Sequence, residues 1–212
     1  FRYTILTIFV LFGISEVQSG VDSSRVSNGV EDVSRTATQF NSTSAANLSV
    51  GVNSDWHVAC RFLSVSVPKD STIDSAWVTI RGVASSDNTV NIRIYAEDTA
   101  GASVPDSIIS LADWDARVYT TAYADYNAVG TYLDNTDYRT PDIKTVIQEI
   151  VNRADWATGQ AVQIFFKSNV SGAGAYRNIR SFDSQNATAP LLVVWYSSGG
   201  GTDSATVRLH SP

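Results

Sequence analysis

The stretch T-P-D-I-K-T-V-I-Q-E-I-V-N-R-A-D-W-A-T-G-Q, residues 140 to 160, decides the fold, because it is the one persuasive helical pattern in a chain that otherwise alternates like sheet. Ile143, Val146, Ile147, Ile150 and Val151 recur at i, i+3, i+4, i+7 and i+8 and make a single apolar stripe, while Lys144, Thr145, Gln148, Glu149 and Asn152 face away. Thr140 suits an N-cap, Pro141 the first helical position, and Asp142 places a carboxylate at the positive end. The reading is a helix over about 140–153, ended by Trp156 and Ala157-Thr158-Gly159 and packed as a lid on a sheet structure.

Outward from the helix, the chain reads as strands. Val162, Ile164 and Phe166 open a period of two on one side. Ahead of the helix, Val90, Ile92, Ile94 and Ala96 form the clearest strand; in Ala76, Val78 and Ile80 the apolar residues face inward while Trp77, Thr79 and Arg81 face out. Val58, Cys60 and Phe62 alternate in one phase and Leu63, Val65 and Val67 in the other, so a bulge is expected near Phe62. Further strands are expected at 30–38, 48–52, 176–182 and 191–196. In the long excursion from Glu97 to Tyr138, short strands are expected at 108–111 and 116–122. About eight or nine strands, one capping helix and no βαβ alternation define an all-β, jelly-roll-like antiparallel sandwich.

Composition narrows the class. The 212 residues suffice for one domain with tails, 43% are hydrophobic and only 17% charged, and Ser, Thr, Asn and Ala are abundant, as in exported β-proteins. A formal net charge of −6 argues against a nucleic-acid partner, whose phosphates need a basic face. Cys60 has no partner for an internal disulfide, and with His57 and His210 as the two histidines no zinc-type spacing occurs. No G-x-S-x-G elbow or phosphate-binding glycine loop appears, so the chain is read as no enzyme.

The first nineteen residues follow signal-peptide grammar: Arg2, an apolar run from Tyr3 to Ile14, then small residues before Gly20. Residues 20–29 then read as a linker, 30–196 as the sandwich, and 197–212 as a Gly/Ser-rich tether and tail. Retention of residues 1–19 would instead resemble a pilin-like filament subunit with an apolar assembly segment. Ile5 stands where bacterial type IV pilins carry glutamate. A membrane contact would run only through residues 3–14, if uncleaved.

Two residue sets could form sites. Glu97, Asp98, Asp106, Asp113 and Asp115 supply oxygens of the kind calcium takes, although their spacing matches no EF-hand and they serve equally as loop solvation and Asx turns. No other cofactor is expected. Trp114, Tyr119, Tyr123 and Tyr126 are the aromatics that, beside Asp and Asn, could stack on sugar faces; rings of this kind are also ordinary core and interface anchors.

Taken together, P-K-D-S-T-I-D-S-A-W-V-T-I, I-R-I-Y-A-E-D, the helix phrase and S-F-D-S-Q-N-A-T-A-P-L-L-V-V-W-Y resemble the DNRLRE and carbohydrate-binding-module-like sandwiches of bacterial surface or secreted proteins, and also tailed-phage structural modules. The literal D-N-R-L-R-E string is absent. The resemblance implies a β-sandwich with structural, adhesive or glycan-binding duty and no catalytic residues. The expected role is a noncatalytic structural or adhesive module at the cell surface, in a filament or on a virion, working through self-association or a neighbouring protein. A carbohydrate-binding module of a secreted polysaccharide-active protein and a pilin-like subunit are the alternatives.

Overall fold

The computed structural model describes residues 18–41, 45–51, 56–85, 88–99, 110–169 and 174–198. Two antiparallel sheets face each other across an apolar interior, in a jelly-roll-like sandwich. The first sheet runs in the order β1 (Gln18–Arg25), β12 (Leu191–Ser198), β6 (Thr72–Val83), β11 (Tyr176–Arg180) and β4 (Asn47–Gly51), with the short β9 (Asp137–Arg139) also on β6. The second runs β3 (Phe40–Asn41), β2 (Asp32–Arg35), β5 (His57–Val65), β10 (Gln160–Ser168), β7 (Val90–Ala96) and β8 (Ala124–Val129). Among the described residues are two α-helices, α1 (Leu111–Asp115) and α2 (Lys144–Val151), and two single-turn 3-10 helices, Gly29–Glu31 and Asn186–Thr188.

Alternation carries the core. Val58, Cys60 and Phe62 of β5, Val90, Ile92, Ile94 and Ala96 of β7, and Ala76, Val78 and Ile80 of β6 all point inward and are buried. The expected bulge exists: Val162 pairs with Phe62 but Gln160 with Val65, so two residues of β5 oppose one of β10, and Ser64 takes φ 55°. That extra residue returns Val65 and Val67 to the core face.

Helix α2 covers the interior as its stripe requires. Ile143, Val146, Ile147, Ile150 and Val151 are all at most 1% exposed, and each such side chain contributes roughly 1.5–3 kcal/mol of burial. The Trp156 indole, also buried, donates to the Val67 carbonyl at 3.1 Å and ties the segment after α2 to the loop that follows β5.

The start of the helix differs from expectation. It begins at Lys144, its N-cap is Ile143, and Pro141 lies outside it. Thr140 Oγ1 serves β6, accepting from Val78 N–H at 3.0 Å, while Asp142 Oδ1 serves both β6 and the helix, accepting from Ala76 N–H at 2.9 Å and from Lys144 N–H, the first amide of α2, at 3.0 Å. Gln148 continues the series, its Oε1 accepting from Ile73 N–H and its Nε2 donating to Ser71 O, both at 2.8 Å. One edge of β6 is thus satisfied by β9, then by Thr140, Asp142 and Gln148. Backbone donors of the strand edge need acceptors as those of a helix start do, and these side chains reach the edge. On the other flank Glu149 accepts from Thr121 and Ala122 N–H at 2.8 and 2.7 Å.

Other boundaries shift as well. Residues expected as linker, 20–29, form most of β1, which pairs with β12 from Gln18↔Ser198 to Arg25↔Leu191. Its backbone ladder holds it with little apolar pattern to read. The Ser19–Gly20 bond lies inside this strand, and Ser197-Ser198, expected as tether, end β12. No strand spans 116–122, where one bridge joins Tyr119 to Glu97; Leu111 opens α1, while 108–109 lie outside the described residues. Residues 1–17 and 199–212 lie outside them too. Among the described residues no helix is long and apolar enough to cross a membrane.

Candidate functional site

The outward face of the second sheet gathers the chemistry. Strand register sets two neighbouring rows across it. The first runs Val33, Ala59, Phe165 and Tyr95, with Tyr123 beside Tyr95. The second starts from the pair Arg35↔His57, continues through Lys167, which pairs with Arg93, and ends at Asp125, the partner of Arg93.

In the first row, α1 lays Trp114 over Phe165, edge to face at 5.2 Å, so that Val33, Ala59, Trp114 and Phe165 close a small apolar cluster on the outside of the sandwich. Ser110 caps α1, accepting from Asp113 N–H at 3.1 Å. Tyr119 also meets Phe165 edge to face at 4.9 Å, then lies 5.5 Å from Tyr95, which lies 5.8 Å from Tyr123. The rings descend from a buried Trp114, through the half-buried Tyr119 and Tyr95, to Tyr123 at 46% exposure.

Cations overlie these rings. The Arg93 guanidinium lies 4.0 Å from the Tyr123 centroid and grips Asp125 with Nε and Nη2 at 2.7 and 3.1 Å, a bond that holds it firmly charged. Lys167 Nζ lies 4.2 Å from the Tyr119 centroid and 5.9 Å from that of Tyr95. Arg35 pairs with Asp115 and lies over Trp114. Burial, then the nearby Lys167 and Arg35 charges, push His57 down to about 4; its Nδ1 accepts from Ser168 N–H at 2.9 Å, which fits the neutral ring. Burial and Arg35 also lower the Lys167 ammonium, and burial raises the Tyr119 phenol.

Of the aromatics singled out in the sequence, Tyr119 and Tyr123 belong to this face. Trp114 does so as its buried support, 1% exposed, and not as an open ring. Tyr126 is on the opposite side of β8, packed against the main core. Tyr95, Arg93, Asp125 and Lys167 escaped the sequence reading although the alternation that buries Ile92, Ile94 and Phe166 already turned Arg93, Tyr95 and Lys167 outward.

The acidic set does not converge. Glu97 pairs with Arg117 at 3.0 and 3.2 Å, Asp98 with Arg153, and Asp115 with Arg35, while Asp113 accepts from the Ser110 hydroxyl at 2.7 Å. Each carboxylate is drawn to a different partner, Asp106 lies outside the described residues, and among the described residues no three His, Cys, Asp or Glu side chains gather as metal ligands do.

No family model and no curated protein sequence matches the chain. Solved structures align with the chain at low identity and low TM-score. A xylan-binding module, CBM15, is 12% identical over 84% of this chain and 97% of its own, with a TM-score of 0.39. A family two carbohydrate esterase from Cellvibrio japonicus is 8% identical over 86% of this chain, with a TM-score of 0.35, and the chain spans 36% of the esterase's length. A mud crab tombus-like virus protein is 12% identical over 93% of this chain and 86% of its own, with a TM-score of 0.30. Likenesses of this strength assign neither family nor ligand, and the architecture rests on the strand pairing itself.

Proposed function

We propose that this chain is a noncatalytic, exported β-sandwich module that adheres to a glycan through the outward face of β10, β7 and β8. The observation that carries the reading is the run of rings Tyr119, Tyr95 and Tyr123, flanked by the Arg93–Asp125 pair. Ring faces stack on the apolar side of a sugar, and a fixed guanidinium–carboxylate pair offers donors and acceptors to its hydroxyls. The support is rigid, because Trp114 and Phe165 lock the platform from beneath. Glycan-array binding followed by calorimetry tests it: Tyr123→Ala and Tyr95→Ala should each weaken binding by about tenfold, some 1.4 kcal/mol. Absence of any glycan ligand, or unchanged affinity in both variants, would refute the proposal.

A second reading, assembly with further copies or with a surface or virion neighbour, is favoured by the outward face of the other sheet. Val21 and Trp195 are cross-strand partners there, 56% and 49% exposed, and Trp77 lies beyond Val193 with Arg139 at 3.2 Å from its ring centroid. Sedimentation of the wild type against Trp195→Ser distinguishes the two: a concentration-dependent oligomer lost in the variant supports assembly.

A further inference from the structure

Of the cations in the second row, Arg35 and Arg93 each hold an aspartate, whereas among the described residues no carboxylate lies within ion-pair reach of Lys167. Its register neighbours are Arg93 on one strand and, beside the Val58–Phe166 pair, His57 on the other. Its ammonium rests over Tyr119 and Tyr95, the same rings that would meet a sugar. A half-buried cation placed between a second cation and a neutral imidazole has shed part of its hydration, and against that it has ring contacts and the charge of Asp115, a carboxylate already held by Arg35.

We infer that the ligand of this face is an acidic polysaccharide, whose uronate carboxylate binds Lys167 while its sugar ring lies on Tyr95 and Tyr123. The inference rests on the glycan reading above and narrows its substrate class. A carboxylate arriving at Lys167 forms a charge-assisted hydrogen bond in a partly desolvated place and offsets the repulsion from Arg35. A neutral sugar leaves both unchanged. The net charge of −6 repels a polyanion from most of the surface, so the preference must arise at this row. A nucleic acid is disfavoured on the same ground: its affinity grows with the number of phosphates neutralised, and here one cation lacks an acidic partner in a row otherwise matched.

Polygalacturonate and its fully methyl-esterified form share a backbone and differ in charge, so together they isolate the claim. Calorimetry at low salt should show the acid form bound at least about tenfold tighter, with the difference eroded by added salt. Lys167→Met should abolish the preference, so that the variant binds the acid form no more tightly than the ester, and Lys167→Arg should retain it. Thermal unfolding of both variants establishes that they are folded. Equal affinity of the wild type for the two forms, a preference that survives in Lys167→Met, binding confined to neutral glycans, or oligo(dT) bound more tightly than polygalacturonate would overturn the inference. Failure of the wild type to bind any glycan would instead overturn the reading beneath it.

Discussion

Asp32 offers a sharp test of how the sandwich is held together. It is 1% exposed at the start of β2, its Oδ2 accepts from Phe182 N–H at 2.7 Å, and its Oδ1 has no hydrogen-bond partner among the described residues. Burial, with the charges of Asp183 and Glu31 adding to it against the Phe182 bond, raises its carboxyl from an ordinary 3.8 to about 7. Between those values the native chain keeps a proton that the unfolded chain releases, so each pH unit of increase lowers stability by about 1.36 kcal/mol and the full rise by about 4 kcal/mol. His57 has the opposite sign: lowered from 6.5 to about 4, it makes stability rise with pH across that interval, and in the wild type the two slopes largely cancel. Asp32→Asn keeps the shape of the protonated acid and the bond from Phe182 N–H. The variant should match the wild type near pH 4, exceed it by about 4 kcal/mol near pH 7.5, and show the unmasked upward slope of His57 between. For a domain of this size that gain is on the order of 10 °C in Tm. Urea titrations followed by tryptophan fluorescence at four or five pH values measure it. A stability difference that is the same at pH 4 and pH 7.5, or a variant less stable at neutral pH, would refute the assignment of a buried, proton-retaining Asp32.

The helix and its neighbours yield two further expectations. Ile147 is fully buried under α2, so Ile147→Ala should cost about 2–5 kcal/mol in urea unfolding, while the exposed Lys144→Ala should change stability by under about 0.5 kcal/mol; equal effects would mean that the stripe covers nothing. A Cβ on Gly82 would come within 2.8 Å of both the Leu133 carbonyl oxygen and the Tyr138 ring, so Gly82→Ala should cost about 1–3 kcal/mol and speed hydrogen exchange across 134–139, where β9 leans on β6.

The parts of the fold legible in the sequence are those where one physical term dominates. Strand β7 and the stripe of α2 are buried on one face, and burial writes itself as a period of two or of about 3.6. The bulge in β5 was legible for the same reason, since its extra residue inverts the phase between Phe62 and Val65. Strands β1, β8 and β9 were not, because backbone ladders hold them with few inward apolar side chains: β9 is three residues, and β8 shows the core little beyond Ala124, Tyr126 and Val129. The start of α2 misled because Thr140 and Asp142 carry capping chemistry that a long-range partner draws on: Thr140 Oγ1 goes to the edge of β6, and Asp142 Oδ1 is shared between that edge and the helix's own Lys144 N–H. The candidate site was half visible: Tyr119 and Tyr123 stand out as residues, but only register brings them beside Tyr95, Arg93 and Lys167, and only tertiary packing buries Trp114 and turns Tyr126 inward.

The central claim, that the module works through the outward face of β10, β7 and β8, is met most directly by amide chemical-shift mapping during titration with a galacturonate oligomer. Perturbations are expected to centre on Arg93, Tyr95, Tyr123, Asp125 and Lys167 and to leave β1 and β12 unmoved. A response centred on Val21, Trp77 and Trp195, or none at saturating oligomer, would contradict it.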